Sequence, residues 1–290
     1  MKISVIIPTI GNRDLMPTLN SLQNSSIDID EIIISVPKNT TLSKRILNNY
    51  KNVLVHSSIY KGQVLQRIEG FKIAKNEVVV QLDDDILIET NCLSKMFEFI
   101  ISHRKSSVSA HFHDIISKKS IYSKEGNGGF SNFFFLAELK YLRNKIYNKI
   151  KSGNNVNQNG DISISGFETY PNMGEHKEPF ISGWIPGGCV MHYKSNLVLS
   201  NFFPFTGKAY CEDLYHSLAL KKNNIQLYYH PNAKAYLEVE SVKSNFRLFI
   251  NYLKNDFIIR KKLVKQNKLS TKRMKMIYII KIFSYLFKWY

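Results

Sequence analysis

Four short runs rich in β-branched residues punctuate the start of the chain: Ile3-Ser-Val-Ile-Ile7, Glu31-Ile-Ile-Ile-Ser-Val36, Lys51-Asn-Val-Leu-Val55 and Val78-Val-Val-Gln-Leu82. Runs this short and this apolar read as strands. The stretches between them have helical spacing. Leu15, Leu19 and Leu22 share one face, and Val64, Leu65, Ile68, Phe71 and Ile73 build another. A third helix carries Leu93, Met96, Phe97 and Ile100, with Asn91 as its expected cap. Strand, helix, strand in repetition means a parallel sheet wrapped by helices, because a parallel connection must cross the sheet. Ligands of such sheets bind in the crevice beyond the carboxyl ends of the strands. At the carboxyl end of the fourth strand stands Asp83-Asp84-Asp85.

Three adjacent carboxylates repel one another unless something positive lies among them. Carboxylates at alternate positions of a tight turn can converge on a hard divalent cation. Mg²⁺ or Mn²⁺ held in this way completes its shell with substrate phosphates. An isolated acidic turn would merely be solvated, but the position after a buried strand favours a cation. A second acidic pair, Glu212-Asp213, precedes Leu214, Ser217, Leu218 and Leu220 and is expected to cap and open a helix. Either a helix-dipole role or catalysis would suit it. Upstream lies Gly183-Trp-Ile-Pro-Gly-Gly-Cys-Val-Met-His192. Its paired glycines permit a sharp turn and close backbone approach to a ligand, and Trp184 is available to stack on a sugar or ring. An ordinary hairpin turn with a core tryptophan is the alternative.

A chain of 290 residues, 44% of them hydrophobic, can bury a real core as one large domain or as a domain with an appendage. Lys and Arg total 40 against 23 acids, a net charge of +17, so polyanions, anionic membrane or a phosphorylated substrate should be attracted. Cys92, Cys189 and Cys211 lack metal-ligand spacing and fit a reduced, cytoplasmic compartment. Pro8 ends the first apolar segment before a signal-peptide core could form, and no apolar window is long enough to span a bilayer. Periodicity weakens between about residues 117 and 180, where 151–160 reads as a loop and Phe133-Phe-Phe135 as core.

Taken together, Ile3-Ser-Val-Ile-Ile-Pro-Thr9, Arg67 ahead of the triplet, the Gly187-Gly188 loop and Glu212-Asp213 resemble the inverting family-two glycosyltransferases with the GT-A fold, over roughly residues 1–240. The resemblance implies an α/β, Rossmann-like, mostly parallel sheet flanked by helices, with a donor-binding half at about 1–110 and an acceptor-side half at about 111–240. Residues 241–290 would then form a C-terminal helical, basic amphipathic extension. It further implies that Pro8 and Thr9 belong to the nucleotide loop and that Arg67, Asp83 and Asp84 meet the nucleotide-sugar donor. Asp83 and Asp85 would hold Mn²⁺ or Mg²⁺, and Asp213 would be the general base. Trp184, Gly187, Gly188 and Glu212 would line the acceptor side.

The implied reaction moves a sugar from a nucleotide-diphosphate sugar, a UDP-sugar being favoured, to a hydroxyl of a glycan or lipid-linked glycan. The implied setting is bacterial lipopolysaccharide, O-antigen or capsule synthesis at the inner face of the cell membrane. The chain departs from the family in three places. Ser35-Val-Pro-Lys-Asn39 replaces Asp-Asp-Gly-Ser, which leaves the donor base open. Ala219 stands where an arginine is frequent. Leu237-Glu238 falls where a histidine can join the metal, so a third metal ligand is unassigned, with His230 nearby.

Two rival classes remain at this level. A nucleotidyltransferase would be expected to carry a glycine-rich basic loop, but Pro8-Thr-Ile-Gly-Asn-Arg13 holds one glycine. A nucleic-acid-binding protein would suit the charge, but the basic residues are spread and no nucleic acid is expected. Finally, 271–290 places Met274, Tyr278, Ile282, Tyr285 and Trp289 along one side of a helix among many cations. That pattern suits an anionic membrane surface, and packing on the catalytic domain or on a second subunit in an oligomer is the alternative.

Overall fold

The structure, a computed structural model, describes residues 2–40, 42, 49–122, 144–153, 160–205, 209–238 and 245–286. Phe133–Phe135, residues 154–159 of the expected loop, and Trp289 lie outside the described residues. The chain divides into two compact units, Met1–Ile121 with Met173–Val239, and Tyr122–Asn172 with Glu240–Tyr290.

The first unit is built on a nine-stranded sheet in the order β3 (Val53–Ser58), β2 (Ile29–Pro37), β1 (Ile3–Pro8), β4 (Val78–Leu82), β10 (Cys189–Tyr193), β6 (Ser106–Asp114), β11 (Gln226–Leu237), β5 (Leu87–Ile88), with β9 (Phe180–Ile181) pairing β11. Its first four strands are β1 (Ile3–Pro8), β2 (Ile29–Pro37), β3 (Val53–Ser58) and β4 (Val78–Leu82), and all pair in parallel. β1 and β4 are buried at every residue, which is why their sequences are continuous apolar runs rather than alternating ones. β5 (Leu87–Ile88), β6 (Ser106–Asp114), β9 (Phe180–Ile181), β10 (Cys189–Tyr193) and β11 (Gln226–Leu237) complete the sheet. β10 enters antiparallel to both β4 and β6, whereas β11 runs parallel to β6.

Helices α1 (Met16–Gln23), α2 (Gln63–Ile73), α3 (Cys92–Ser102) and α4 (Glu212–Lys222) flank this sheet. α1 buries Leu19 and Leu22 and has Leu15 at its N-cap. α2 approaches β1 through Gly70: a Cβ there would lie 2.6 Å from Ile6 Cγ2, so glycine is what lets the helix seat. Phe71 and Ala74 join Ile6, Ile33, Val79 and Leu197 in the core beneath it. The apolar face expected for α2 is narrower than its sequence suggested. Ile73 is 39% exposed, while Gln66 and Arg67 are buried in its place. Asn91 does sit at the N-cap of α3, but its side chain makes no capping bond.

The second unit contains the hairpin β7–β8 (Asp161–Ile162 and Glu168–Thr169), helical residues 144–152, and two long helices, α5 (Phe246–Gln266) and α6 (Thr271–Leu286). Asn245 caps α5 by accepting from the backbone N–H of Arg247 and Leu248. The aromatic side of α6 faces α5. Tyr285 stacks on Phe249 at 4.4 Å, Tyr278 meets Phe257 edge-on, and the Tyr278 hydroxyl donates to Asp256. Burial raises the phenol's pKa, and the Asp256 charge raises it further. Met274, Ile277 and Tyr278 are thus core residues, and the exposed stripe of α6 is instead Met276, Ile279, Phe283 and Leu286. Arg260, buried, donates to Asp256, to Glu168 and to the Gly166 carbonyl. The β7–β8 hairpin and the two long helices therefore share one polar core.

Candidate active site

The sheet register brings the sequence motifs together. Because Leu82 at the end of β4 pairs with Cys189 at the start of β10, Asp83 N–H donates to the Gly188 carbonyl at 2.9 Å. Gln81 Nε2 donates to the Gly187 carbonyl at 2.5 Å, so the glycine loop is pinned beside the triplet. On the other flank, Pro8 pairs with Ser35 and Thr9 N–H donates to the Ser35 carbonyl, which sets the ends of β1 and β2 side by side. The Gln66 side chain clamps both ends by donating to the carbonyls of Thr9 and Ser35 at 2.7 Å each.

Each carboxylate of the triplet has its own partners. Asp83 accepts from Arg67 at 3.0 Å and from Gln63 at 2.7 Å. Asp84 accepts from the Thr9 hydroxyl at 2.6 Å, and its backbone carbonyl accepts from Thr18. Asp85 accepts from Arg13 at 2.7 Å. The positive groups that the sequence demanded are therefore present as two guanidiniums, and mutual repulsion alone does not require a metal. Burial raises the pKa of Asp83 to about 6, although Arg67 works against that rise.

Arg67 reaches further. Only 1% exposed, it donates through its other arm to Glu212 at 2.8 Å, joining residues 145 apart in sequence. One guanidinium thus ties the triplet to the acidic pair. Its Nε is buried without a hydrogen-bond partner. Glu212 and Asp213 open α4 as expected but do not cap it. The N-cap is Cys211, held at φ +45°, a left-handed conformation uncommon for a side chain of this kind. Glu212 is buried, whereas Asp213 is partly exposed. Gly187 makes room for this arrangement: a Cβ on it would lie 2.6 Å from Asp213 Oδ1 and 3.4 Å from Glu212 Oε2. Burial and the neighbouring Glu212 push the Asp213 carboxyl well above the usual carboxylate range.

The pattern of the family description "Glycosyl transferase family 2" matches residues 4–163, more than half of the sequence. The chain belongs to that family. No curated protein matches it. Among solved structures, GalNAc-T7 with UDP, GalNAc and Mn²⁺ superposes with a TM-score of 0.56 at 17% identity, covering 82% of this chain and 43% of that one. Staphylococcus aureus TarS 1-349 in complex with UDP-GlcNAc superposes with a TM-score of 0.54 at 16% identity, covering 96% of this chain and 70% of that one. These likenesses establish the GT-A fold, and this chain spans less than half the length of the GalNAc-T7 chain.

The family implies a divalent cation, and the donor set can be tested against it. Asp83 and Asp85 offer hard oxygens at alternate positions, which suits a cation that takes one or two carboxylates and draws its other ligands from phosphate and water. Among the described residues no group of three His, Cys, Asp or Glu side chains converges on a metal position. A cation here would have two carboxylates, Asp83 and Asp85, to hold it rather than three protein ligands. His230 is elsewhere, its ring edge-on to Phe99 at 6.4 Å. Trp184 does not present an open face: it is 4% exposed and meets Tyr229 edge-on. Its place is the core, as the hairpin alternative held.

Sequence reasoning missed Arg13, Thr18, Gln63, Gln66 and Gln81. One signal was available for α2. Gln63, Gln66 and Arg67 fall at i, i+3 and i+4, a polar stripe along a helix that otherwise faces a core.

Proposed function

We propose that this site transfers a sugar from a nucleotide-diphosphate sugar to an acceptor hydroxyl with inversion, with Asp213 as the general base. The observation that carries the reading is the Arg67 bridge. It fixes Asp83 and Glu212 on its two arms, while Asp213, one residue on, keeps its carboxyl against the side-chain-free Gly187. Inversion needs a base on the acceptor side and charge neutralisation on the donor side, and these two acidic groups supply the division. Raised proton affinity suits a base that must take a hydroxyl proton.

In this reading Pro8 and Thr9 bind the nucleotide, Arg67 and Asp84 shape the donor pocket, and Gly187, Gly188 and Glu212 border the acceptor. Asp83 and Asp85 would hold Mn²⁺ or Mg²⁺, which when bound neutralises the departing diphosphate. A UDP-sugar is the favoured donor, in keeping with UDP-GlcNAc and UDP in the two superposed proteins. A glycan or lipid-linked glycan of a bacterial surface polysaccharide is the proposed acceptor.

No helix among the described residues is long and apolar enough to cross a membrane. Peripheral attachment to an anionic inner membrane surface is proposed instead, through the Met276, Ile279, Phe283 and Leu286 stripe with the exposed Lys272 and Lys275 at its start. Cosedimentation of the full chain with anionic liposomes, lost on truncation after Ser270, is the expected result.

Asp213→Asn tests the core of the proposal. Donor binding measured by calorimetry should survive, while turnover falls about a hundred- to ten-thousandfold. Lost donor affinity with intact turnover would move Asp213 to another role.

A further inference from the structure

Asp83 does not divide its donors between its two oxygens. Gln63 Nε2 donates to Oδ1 at 2.7 Å, and Arg67 donates to the same Oδ1 at 3.0 Å. Oδ2 has no hydrogen-bond partner among the described residues. It lies beside the glycine loop, where a Cβ on Gly188 would stand 3.6 Å from it. The backbone behind the carboxylate is tied down as well, since Asp83 N–H donates to the Gly188 carbonyl at 2.9 Å. Gln63 is held in turn. It opens α2, and one turn on Gln66 accepts from the Gly62 N–H at 2.9 Å while donating to the carbonyls of Thr9 and Ser35. The first turn of the helix is thereby fixed to the ends of β1 and β2.

We propose that Gln63 is a positioning residue which, together with Arg67, turns the Asp83 carboxylate so that Oδ2 alone is offered to the divalent cation. This rests on the reading that Asp83 and Asp85 hold that cation. The torsion that exchanges two carboxylate oxygens is soft, and hydrogen bonds from outside the coordination sphere are what orient a ligating carboxylate. The two donors divide this task. The Arg67 charge balances the acids it joins, whereas the neutral Gln63 amide adds a directed bond without bringing a second positive group toward a cation. Ligation through one oxygen suits Mg²⁺ and Mn²⁺, which take few protein carboxylates and keep phosphate and water in the remaining positions.

The test follows Mn²⁺ binding to the full chain by electron paramagnetic resonance without nucleotide, with denaturant midpoints measured alongside. Gln63→Met keeps the size of the side chain and removes its amide. It should bind Mn²⁺ about tenfold more weakly, the scale of a lost outer partner of a metal ligand, with its midpoint little changed. Asp83→Asn should lose more. Both donors require an acceptor at the Oδ1 position, so the new amide must place its NH₂ where Oδ2 was, and an NH₂ group is a donor only. Unchanged or tighter Mn²⁺ binding in Gln63→Met, with Asp83→Asn weakened, overturns the role of Gln63 and leaves the metal reading intact. A loss in Gln63→Met that comes with a lowered midpoint, or that recurs in full in the Asp83→Asn background, makes Gln63 a structural residue and likewise overturns it. Mn²⁺ binding that Asp83→Asn does not weaken, or that is missing in the unmodified protein, overturns the metal reading and the proposal with it.

Discussion

Arg67 in the first unit and Arg260 in the second are both nearly sealed from solvent, at 1% and 3% exposure, and each bridges two carboxylates. Arg260 is fully employed. It bonds Asp256 one turn away on α5, Glu168 and the Gly166 carbonyl, and its guanidinium lies 4.1 Å from the Phe167 ring centroid. Arg67 has a buried Nε with no hydrogen-bond partner, and its carboxylates stand at the end of β4 and the start of α4, where strands and helices of this fold present ligands. Similar burial and similar charge thus serve two ends. In the second unit the arginine's bonds tie the β7–β8 hairpin to α5. In the first, the arginine joins two acidic groups that come from separate motifs, one at the end of β4 and one at the start of α4.

Replacing each arginine by methionine should break this comparison or confirm it. Arg67→Met and Arg260→Met should each cost about 3–5 kcal/mol of stability by stranding buried carboxylates, read as a shift in denaturant midpoint. Activity per folded molecule should separate them. Arg67→Met should lose about a hundredfold or more in turnover, because Asp83 and Glu212 are no longer held in place. Arg260→Met should leave turnover of the folded fraction unchanged. Equal loss of turnover in both would erase the distinction.

Two glycines sharpen the contrast at smaller scale. In Gly187→Ala the new methyl would meet Asp213 Oδ1 at 2.6 Å, and in Gly70→Ala it would meet Ile6 Cγ2 at the same distance. Gly187→Ala should lower turnover about tenfold or more by displacing the base with little change in melting. Gly70→Ala should cost about 1–3 kcal/mol from overpacking with turnover of the folded protein retained.

The smallest effect is in pH. Asp83 has its pKa raised to about 6, so the stability it contributes is full below its unfolded value and is lost as pH rises through about 6. Glu168 is opposite. Burial disfavours its charge, but Arg260 and Lys281 hold its pKa below the ordinary value, so its contribution is present above that value and is lost as pH falls. In metal-free protein, Asp83→Asn should flatten a decline in stability between about pH 4 and 6, and Glu168→Gln should flatten one at lower pH. Denaturant midpoints across pH decide both.

Much of the first unit was legible because its strands are buried on both faces, which leaves the plain apolar runs of β1, β2 and β4. The triplet and the Glu212-Asp213 pair were legible as acids placed where a sheet ends. Arg13 and Gln63 were not, because a polar residue in a loop or on the first turn of a helix reads as solvated until the register shows what it touches. Trp184 misled because a tryptophan beside paired glycines fits both a sugar platform and a hairpin core, and only its 4% exposure separates them. The face of α6 was misread because apolar residues surround that helix, so periodicity could not say whether Tyr278 and Tyr285 or Ile279 and Phe283 would turn inward. Arg260 joins Glu168 from far along the chain, and no local pattern announces such a bond.

The most direct test of the account is the anomeric configuration of the product. With an α-linked nucleotide-diphosphate sugar accepted by the enzyme, such as UDP-GlcNAc, proton NMR of the first glycoside formed should show the β anomer, its larger H1–H2 coupling appearing without any α product. An α-linked product would mean retention, and would contradict a single displacement driven by Asp213.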